Sequence, residues 1–209
     1  MRIGVIGAGR IGGNAARLFA QAGHDVLVSY SRDPDKLQAL AAGIGARAGT
    51  PREAAEFGEV VMLSVPWRLI DGVLAEVGSL AGRIVIDTTN QFGTDGWEDL
   101  GQRTAAQVNA QRMPGARYTK AFNTLTAGFQ AQAAGRTGPE RVVMFLCGDD
   151  EDAKAIVAAL IEEAGFTPVD MGGTADAAPM EAPRRSGAVY GEEVHEAEAR
   201  DFVARLRSS

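Results

Sequence analysis

The chain predicts an α/β fold, a doubly wound and mostly parallel sheet with helices on both faces, and three observations carry that prediction. Short apolar runs alternate with helical patterns along the whole length. Several of the runs, such as residues 59–65, are nearly continuous in β-branched and apolar residues, as strands covered on both faces are. The first run, Arg2-Ile3-Gly4-Val5-Ile6, passes straight into Gly7-Ala8-Gly9-Arg10-Ile11-Gly12 and then into a helical pattern.

Strand, glycine turn and helix in that order form the first unit of a Rossmann-type sheet and bind a dinucleotide. Gly7 takes the tight turn off the strand, Gly9 lets the backbone approach a pyrophosphate, and Gly12 allows helix and strand to pack closely. The free N–H groups at the start of the helix then face the phosphates, which adds Ala8, Arg10 and Ile11 to the cofactor-binding set. Residues 10–21 place Ile11, Ala15, Leu18 and Phe19 on one helical face before Ala22-Gly23 closes the helix.

The second strand, residues 25–29, decides the dinucleotide. An Asp or Glu about 20 residues beyond the glycines holds the ribose 2′-hydroxyl of NAD. None is present; the strand runs out through Ser29-Tyr30-Ser31-Arg32, with Lys36 a helical turn further on. Arg and Lys suit a 2′-phosphate, so the reading is NADP, with Ser29, Ser31, Arg32 and Lys36 in the site. Asp33, followed by Pro34, is a helix N-cap with proline at the first helical position.

These residues, with Lys120-Ala121-Phe122-Asn123-Thr124-Leu125 and Gly148-Asp149-Asp150, resemble the NADPH:deazaflavin oxidoreductases over roughly residues 1–172. The resemblance implies NADP as cofactor and a deazaflavin, coenzyme F420, as the redox acceptor. Related NADPH-binding modules pass electrons to ordinary flavins, so FAD or FMN is the alternative acceptor. Beyond residue 172 the likeness fades, and Met180-Glu181-Ala182-Pro183 stands in place of the family's usual leucine-containing helix start.

The remaining elements follow in order. Residues 33–42 read as a helix, 44–48 as a short third strand, and Thr50-Pro51-Arg52-Glu53 as a capping box opening another helix. The fourth strand, 59–65, ends at Ser64-Val65-Pro66-Trp67; Trp67 opens a helix to residue 77, as core or as a lid. Residues 83–87 form the fifth strand and end in Thr88-Thr89-Asn90. A loop over 91–96 leads to an exposed helix over 95–112, with Trp97, Leu100, Ala105 and Val108 as its inner stripe. After Met113-Pro114-Gly115, residues 117–122 return to the sheet and deliver Asn123-Thr124. Ligands of open α/β sheets bind at the carboxyl ends of strands, so Ser64, Val65, Pro66, Asn90, Asn123 and Thr124 belong beside the ribose and nicotinamide. The bland alternative is that each Ser or Asn caps its own turn.

Residues 141–147, 150–164 and 167–170 add a strand, a helix and a strand to the same sheet; 172–191 is rich in Ala, Pro, Gly and Arg; 192–206 is a final polar helix. The expectation is one domain over 1–209, with 128–209 extending the sheet and adding the last helix.

With 45% apolar residues the chain can bury a large core, while a net charge of −6 with scattered Lys and Arg argues against nucleic acid and anionic membranes as partners. No apolar run is long enough to span a bilayer and no leader precedes the first strand, so a cytoplasmic protein is expected. Cys147, in an apolar run, reads as a buried structural thiol, and no metal site is read. His24 reads as a surface corner and His195 as a solvated side chain among glutamates.

Lys120 invites a second reading, since related hydroxyacid dehydrogenases use a lysine and an asparagine a few residues apart. Here the lysine lies in a predicted strand, where alternation puts Lys120 and Asn123 on opposite faces if the strand continues. The strand ends offer no convincing acid or base. Hydride transfer between two ring systems needs none, because the rings carry the chemistry. The expected function is therefore an oxidoreductase without a catalytic side chain, acting as a homodimer. An NADP(H) sensor without turnover, or a dehydrogenase or imine reductase for a small substrate, are the alternatives.

Overall fold

The computed structural model describes residues 1–30 and 33–208. Eight strands lie in one sheet in the order β3-β2-β1-β4-β5-β6-β7-β8. They are β1 (Arg2–Ile6), β2 (Asp25–Ser29), β3 (Arg47–Gly49), β4 (Val60–Leu63), β5 (Ile84–Asp87), β6 (Arg117–Ala121), β7 (Val143–Gly148) and β8 (Thr167–Asp170). Every pairing is parallel except that of β6 with β7. The order reverses between β1 and β4, which makes the carboxyl ends of those two strands a topological switch point.

Alternation along the strands creates two cores. Ile3, Val5, Val26, Val28, Val60, Met62 and Ile86 face one, beneath α1 (Arg10–Gln21), α2 (Pro34–Ile44), α6 (Ala127–Ala133) and α7 (Glu151–Glu163). Ile6, Leu27, Val61, Leu63, Val85 and Tyr118 face the other, beneath α3 (Pro51–Phe57), α4 (Ile70–Val77), α5 (Ala105–Arg112) and α8 (Glu196–Arg207). This is the doubly wound sheet predicted. Among the described residues no helix is long and apolar enough to cross a membrane.

The differences from the sequence reading have local causes. Residue 44 ends α2 instead of starting β3, because Gly45, at φ 69°, makes a left-handed cap. The strand expected over 59–65 stops at Leu63, and a 3₁₀ turn, Trp67–Leu69, precedes α4. The helix expected over 95–112 exists only as Ala105–Arg112, with the Thr104–Gln107 capping box at its start. Upstream, the Gly93 N–H donates to Gly96 O (2.7 Å) and the Glu98 N–H to Gln91 O (2.9 Å), closing a small hairpin turn. Gly96 and Gly101 have φ of 124° and 64°, values no helix accommodates. The final helix starts at Glu196 rather than 192, and α6, capped by Thr126, had no counterpart in the sequence reading.

His24 is less exposed than expected: its Nε2 lies 2.8 Å from Glu163, its Nδ1 3.3 Å from the N-terminal amine, and its ring edge-on to Phe19. His195 is half-buried, with Nδ1 3.2 Å from the Arg141 carbonyl, rather than a freely solvated side chain. Cys147 is buried as predicted, and burial pushes its thiol well up.

Candidate active site

The glycine turn separates into two roles. A Cβ on Gly7, whose φ is 109°, would lie 2.2 Å from the Ser64 carbonyl oxygen, and one on Gly12 would lie 2.1 Å from Gly7 O. Both glycines are demanded by the protein's own packing. A Cβ on Gly9 would meet nothing within 4 Å; that space lies in front of the helix. α1 has no capping side chain and no acid in its first turn, and among the described residues the N–H groups of Gly9, Arg10 and Ile11 meet no acceptor. Unsatisfied donors at a positive helix end, with open space before them, fit the pyrophosphate of a dinucleotide.

Ser29 braces this turn from behind. Its carbonyl accepts the N–H groups of Gly7 (3.0 Å) and Ala8 (3.1 Å), and its buried hydroxyl donates to Val5 O (3.1 Å), so the side chain does not face a ribose. Ser31 and Arg32 lie outside the described residues. Lys36 borders a second cavity of about 450 Å³ with Asn14, Arg17 and Arg10 along α1. Its ammonium stands 3.1 Å from Asp33, whose carboxylate caps α2 by accepting the Lys36 N–H (3.2 Å) and is held below its usual pKa chiefly by that bond. Arg32→Ala is expected to weaken NADPH by about 1.5–3 kcal/mol, the worth of one charge-assisted contact, with Lys36 adding less. Titrating both dinucleotides checks this, since equal losses for NADPH and NADH would place the guanidinium elsewhere.

The main cleft, about 620 Å³, lies at the carboxyl ends of β1, β4, β5 and β6. It brings together Gly9, Arg10, Ile11, Ser64, Val65, Pro66, Asn90, Asn123 and Thr124. The two asparagines do not cap their own turns; they lace the cleft floor together. Asn90 Nδ2 donates to Asn123 O (3.0 Å), while Asn123 Nδ2 donates to Met180 O (2.6 Å) and to Asn90 Oδ1 (3.2 Å). The Ala182 N–H also donates to Asn90 Oδ1 (3.2 Å). Thr88 Oγ1 donates to Ser64 Oγ at 3.0 Å.

Phe122 bends the chain into this position with φ 59°, which interrupts the alternation that would otherwise have continued past β6. Its ring is held edge-on between Phe19 (5.9 Å) and Phe166 (6.5 Å). Trp67 is buried in the wall, its indole N–H donating to Glu98 and the Arg112 guanidinium lying 4.5 Å over its ring.

Behind the cleft sits a buried ionic cluster. Lys120 is fully buried and donates to Thr89 O (2.6 Å) and Asp87 (3.2 Å), with Glu181 at 3.8 Å. Asp87 also accepts from Tyr118 Oη (2.6 Å) and Asn109 Nδ2 (2.8 Å). The Glu181 carboxylate accepts the first N–H groups of α5, Ala105 (2.8 Å) and Ala106 (2.7 Å). Burial opposes the Asp87 charge, yet the Lys120 ammonium and the two donors hold Asp87 below its usual pKa. Burial likewise opposes the Lys120 charge, but Asp87 and Glu181 hold it above its usual value. Lys120 does not line the cleft; its buried ammonium donates two hydrogen bonds and lies within ion-pair distance of Glu181, an arrangement that holds the cluster together behind the cleft.

Sequence reasoning missed Tyr190, Gly191 and Phe92, which also line the cleft. Gly191 is drawn in by its N–H, which donates to Thr124 O (2.8 Å), and burial raises the Tyr190 phenol above its usual pKa. An isolated Tyr in a Gly- and Ala-rich stretch carried no periodic signal of this placement.

Residues 2–91 match the family described as NADP oxidoreductase coenzyme F420-dependent. The chain is similar to the hypothetical protein SMa0349 from Sinorhizobium meliloti, with 32% identity and a TM-score of 0.82 over 94% of this chain and 95% of that one. A structure put forward as an F420-dependent NADP reductase of Arthrobacter sp. FB24 shares the fold, with a TM-score of 0.75 at 24% identity over 85% and 87% of the two chains. Metalloreductase STEAP3 of Rattus norvegicus is 29% identical over 181 residues, which cover 87% of this chain and 36% of that protein. The chain therefore spans about a third of this relative. The family match runs from β1 through the glycine turn to Gln91, between the cleft-lining Asn90 and Phe92, and covers less than half of the chain; over these residues the chain is similar to the coenzyme F420-dependent NADP oxidoreductases.

Proposed function

We propose that the protein passes a hydride between NADPH and a tricyclic ring acceptor, a deazaflavin such as coenzyme F420 or, as the alternative within the same class, FMN or FAD. One observation carries this reading: among the described residues lining the cleft, only Arg10 and Tyr190 have ionisable side chains. No carboxylate, imidazole or ammonium stands there to move a proton for an alcohol or imine. Bound NADPH supplies the hydride and the acceptor ring takes it up.

The protein's share is binding, orientation and exclusion of water. The N–H groups of Gly9, Arg10 and Ile11 would hold the pyrophosphate, and Arg32 with Lys36 the 2′-phosphate. Val65, Pro66, Phe122 and Leu125 provide apolar walls at the reactive end. Asn90, Asn123 and Thr124 fix those walls through bonds to each other and to residues 180, 182 and 191.

Deuterium on the transferred face of NADPH is expected in the reduced deazaflavin, whose new carbon–hydrogen bond does not exchange, and Tyr190→Phe should leave the chemical step unchanged. Loss of the label to solvent, or collapse of that step in Tyr190→Phe with NADPH affinity intact, would shift the reading to acid–base chemistry on a small substrate. No stimulation of NADPH oxidation by any acceptor would leave a sensor.

The same reading takes the molecule as a homodimer, with contacts supplied by the C-terminal part of the chain, whose apolar residues are too few to cover their own edge of the sheet. Sedimentation at micromolar concentration should give twice the monomer mass of 21.9 kDa, and a monomer at physiological salt would remove that assembly.

A further inference from the structure

Among the described residues four large apolar side chains stand exposed, Met1, Phe92, Trp97 and Leu206. Two of the four are stacked on one another at the rim of the cleft. The Phe92 and Trp97 ring centroids are 4.4 Å apart with planes inclined by 38°, each residue is 47% exposed, and Phe92 lines the cleft itself. They face each other across the hairpin turn of residues 91–98 as an antiparallel bridge. The turn is anchored at its root, because the Glu98 carboxylate accepts the indole N–H of the buried Trp67 and the Gln91 carbonyl accepts the Glu98 N–H. Aromatic pairs are ordinarily a means of burying area, so a braced and exposed one beside a cofactor cleft is a surface prepared for a flat partner.

We infer that Phe92 and Trp97 form the outer stacking face for the ring system of the acceptor, and so select planar polycyclic acceptors over compact ones. This rests on the hydride-transfer reading above and names the part of the site that reads the acceptor. A compact substrate held against Val65 and Pro66 would have no use for a rim of this kind, whereas a tricyclic ring over the nicotinamide position would extend toward it. A second copy of the chain is the rival occupant.

The test titrates FMN and coenzyme F420 into the NADP⁺-saturated protein by calorimetry, comparing wild type with Phe92→Ala/Trp97→Ala and with Phe92→Leu/Trp97→Leu, which keeps apolar bulk without an aromatic face. The expected result is a rise of tenfold or more in the Kd of the ring acceptor in both double variants, with the NADP⁺ Kd within twofold of wild type. Unchanged ring affinity in either double variant overturns the inference, and so does a change from dimer to monomer in sedimentation, which would assign the pair to a second copy. A wild type that transfers the deuterium label while the variants bind the ring as tightly removes only this inference. A wild type that binds no ring acceptor removes the parent reading with it.

Discussion

Lys120→Met is expected to destabilise the protein by about 3–5 kcal/mol, the cost of removing one partner from a buried ion pair. The substitution leaves Asp87 and Glu181 buried with no ammonium between them, and the methionine cannot reach the Thr89 carbonyl with a donor. Denaturant unfolding would read the change as a lower midpoint at unchanged slope. Asp87→Asn in the Lys120→Met background should recover part of the loss, since contacting residues are not additive.

The pH dependence follows from the two directions. Asp87 lies below its ordinary 3.8 in the folded state, so its contribution is complete above that value and lost as pH falls through the folded one. Lys120 lies above its ordinary 10.5, so its contribution is complete below that value and lost as pH rises through the folded one. The contribution of the pair to wild-type stability should therefore be flat between these limits and be lost outside them. A variant with full stability but no hydride transfer would overturn the structural role given to Lys120.

The second large effect separates the glycines. Gly7→Ala should cost about 2–5 kcal/mol, adding backbone strain of about 1–2 kcal/mol at a positive φ to about 1–3 kcal/mol for displacing the Ser64 carbonyl that a Cβ would meet. Gly9→Ala should alter stability by no more than about 0.5 kcal/mol, because its Cβ enters open space. That space is the one assigned to the pyrophosphate, so the same variant should raise the Kd of NADPH about tenfold, a loss of about 1.4 kcal/mol. Thermal unfolding and a binding titration on both variants make the comparison. Full NADPH affinity in Gly9→Ala would move the phosphates away from this turn.

Much of the sheet was legible because its signals are local. Val60–Leu63 is a continuous apolar run and Ile84–Asp87 is apolar up to its last residue, and the caps at Asp33, Thr50 and Asp150 each announce a helix within three residues. The hairpin at 91–98 was misread because Trp97, Leu100, Ala105 and Val108 share helical spacing, a periodicity that Gly96 and Gly101 defeat through their backbone angles. The direction of β7 had no local signal at all: polarity is set by which neighbour a strand meets, and Val143–Gly148 pairs antiparallel with β6 but parallel with β8. At the site, the strand-end positions followed from topology, yet what those side chains do did not. Asn90 and Asn123 are engaged by residues 180 and 182, and Lys120 by Glu181, partners that no spacing rule connects.

The Asp87, Lys120 and Glu181 cluster also sets a timetable for synthesis. Its last member is made 61 residues after Lys120, which at about 5–20 residues per second is roughly 3–12 s of ribosome time. During that interval the strands carrying the glycine turn can already pair, but the first turn of α5 lacks its acceptor and Asn90 and Asn123 lack the backbone that laces them together. A nascent chain therefore acquires the means to hold a dinucleotide before it acquires a finished cleft in which to use one.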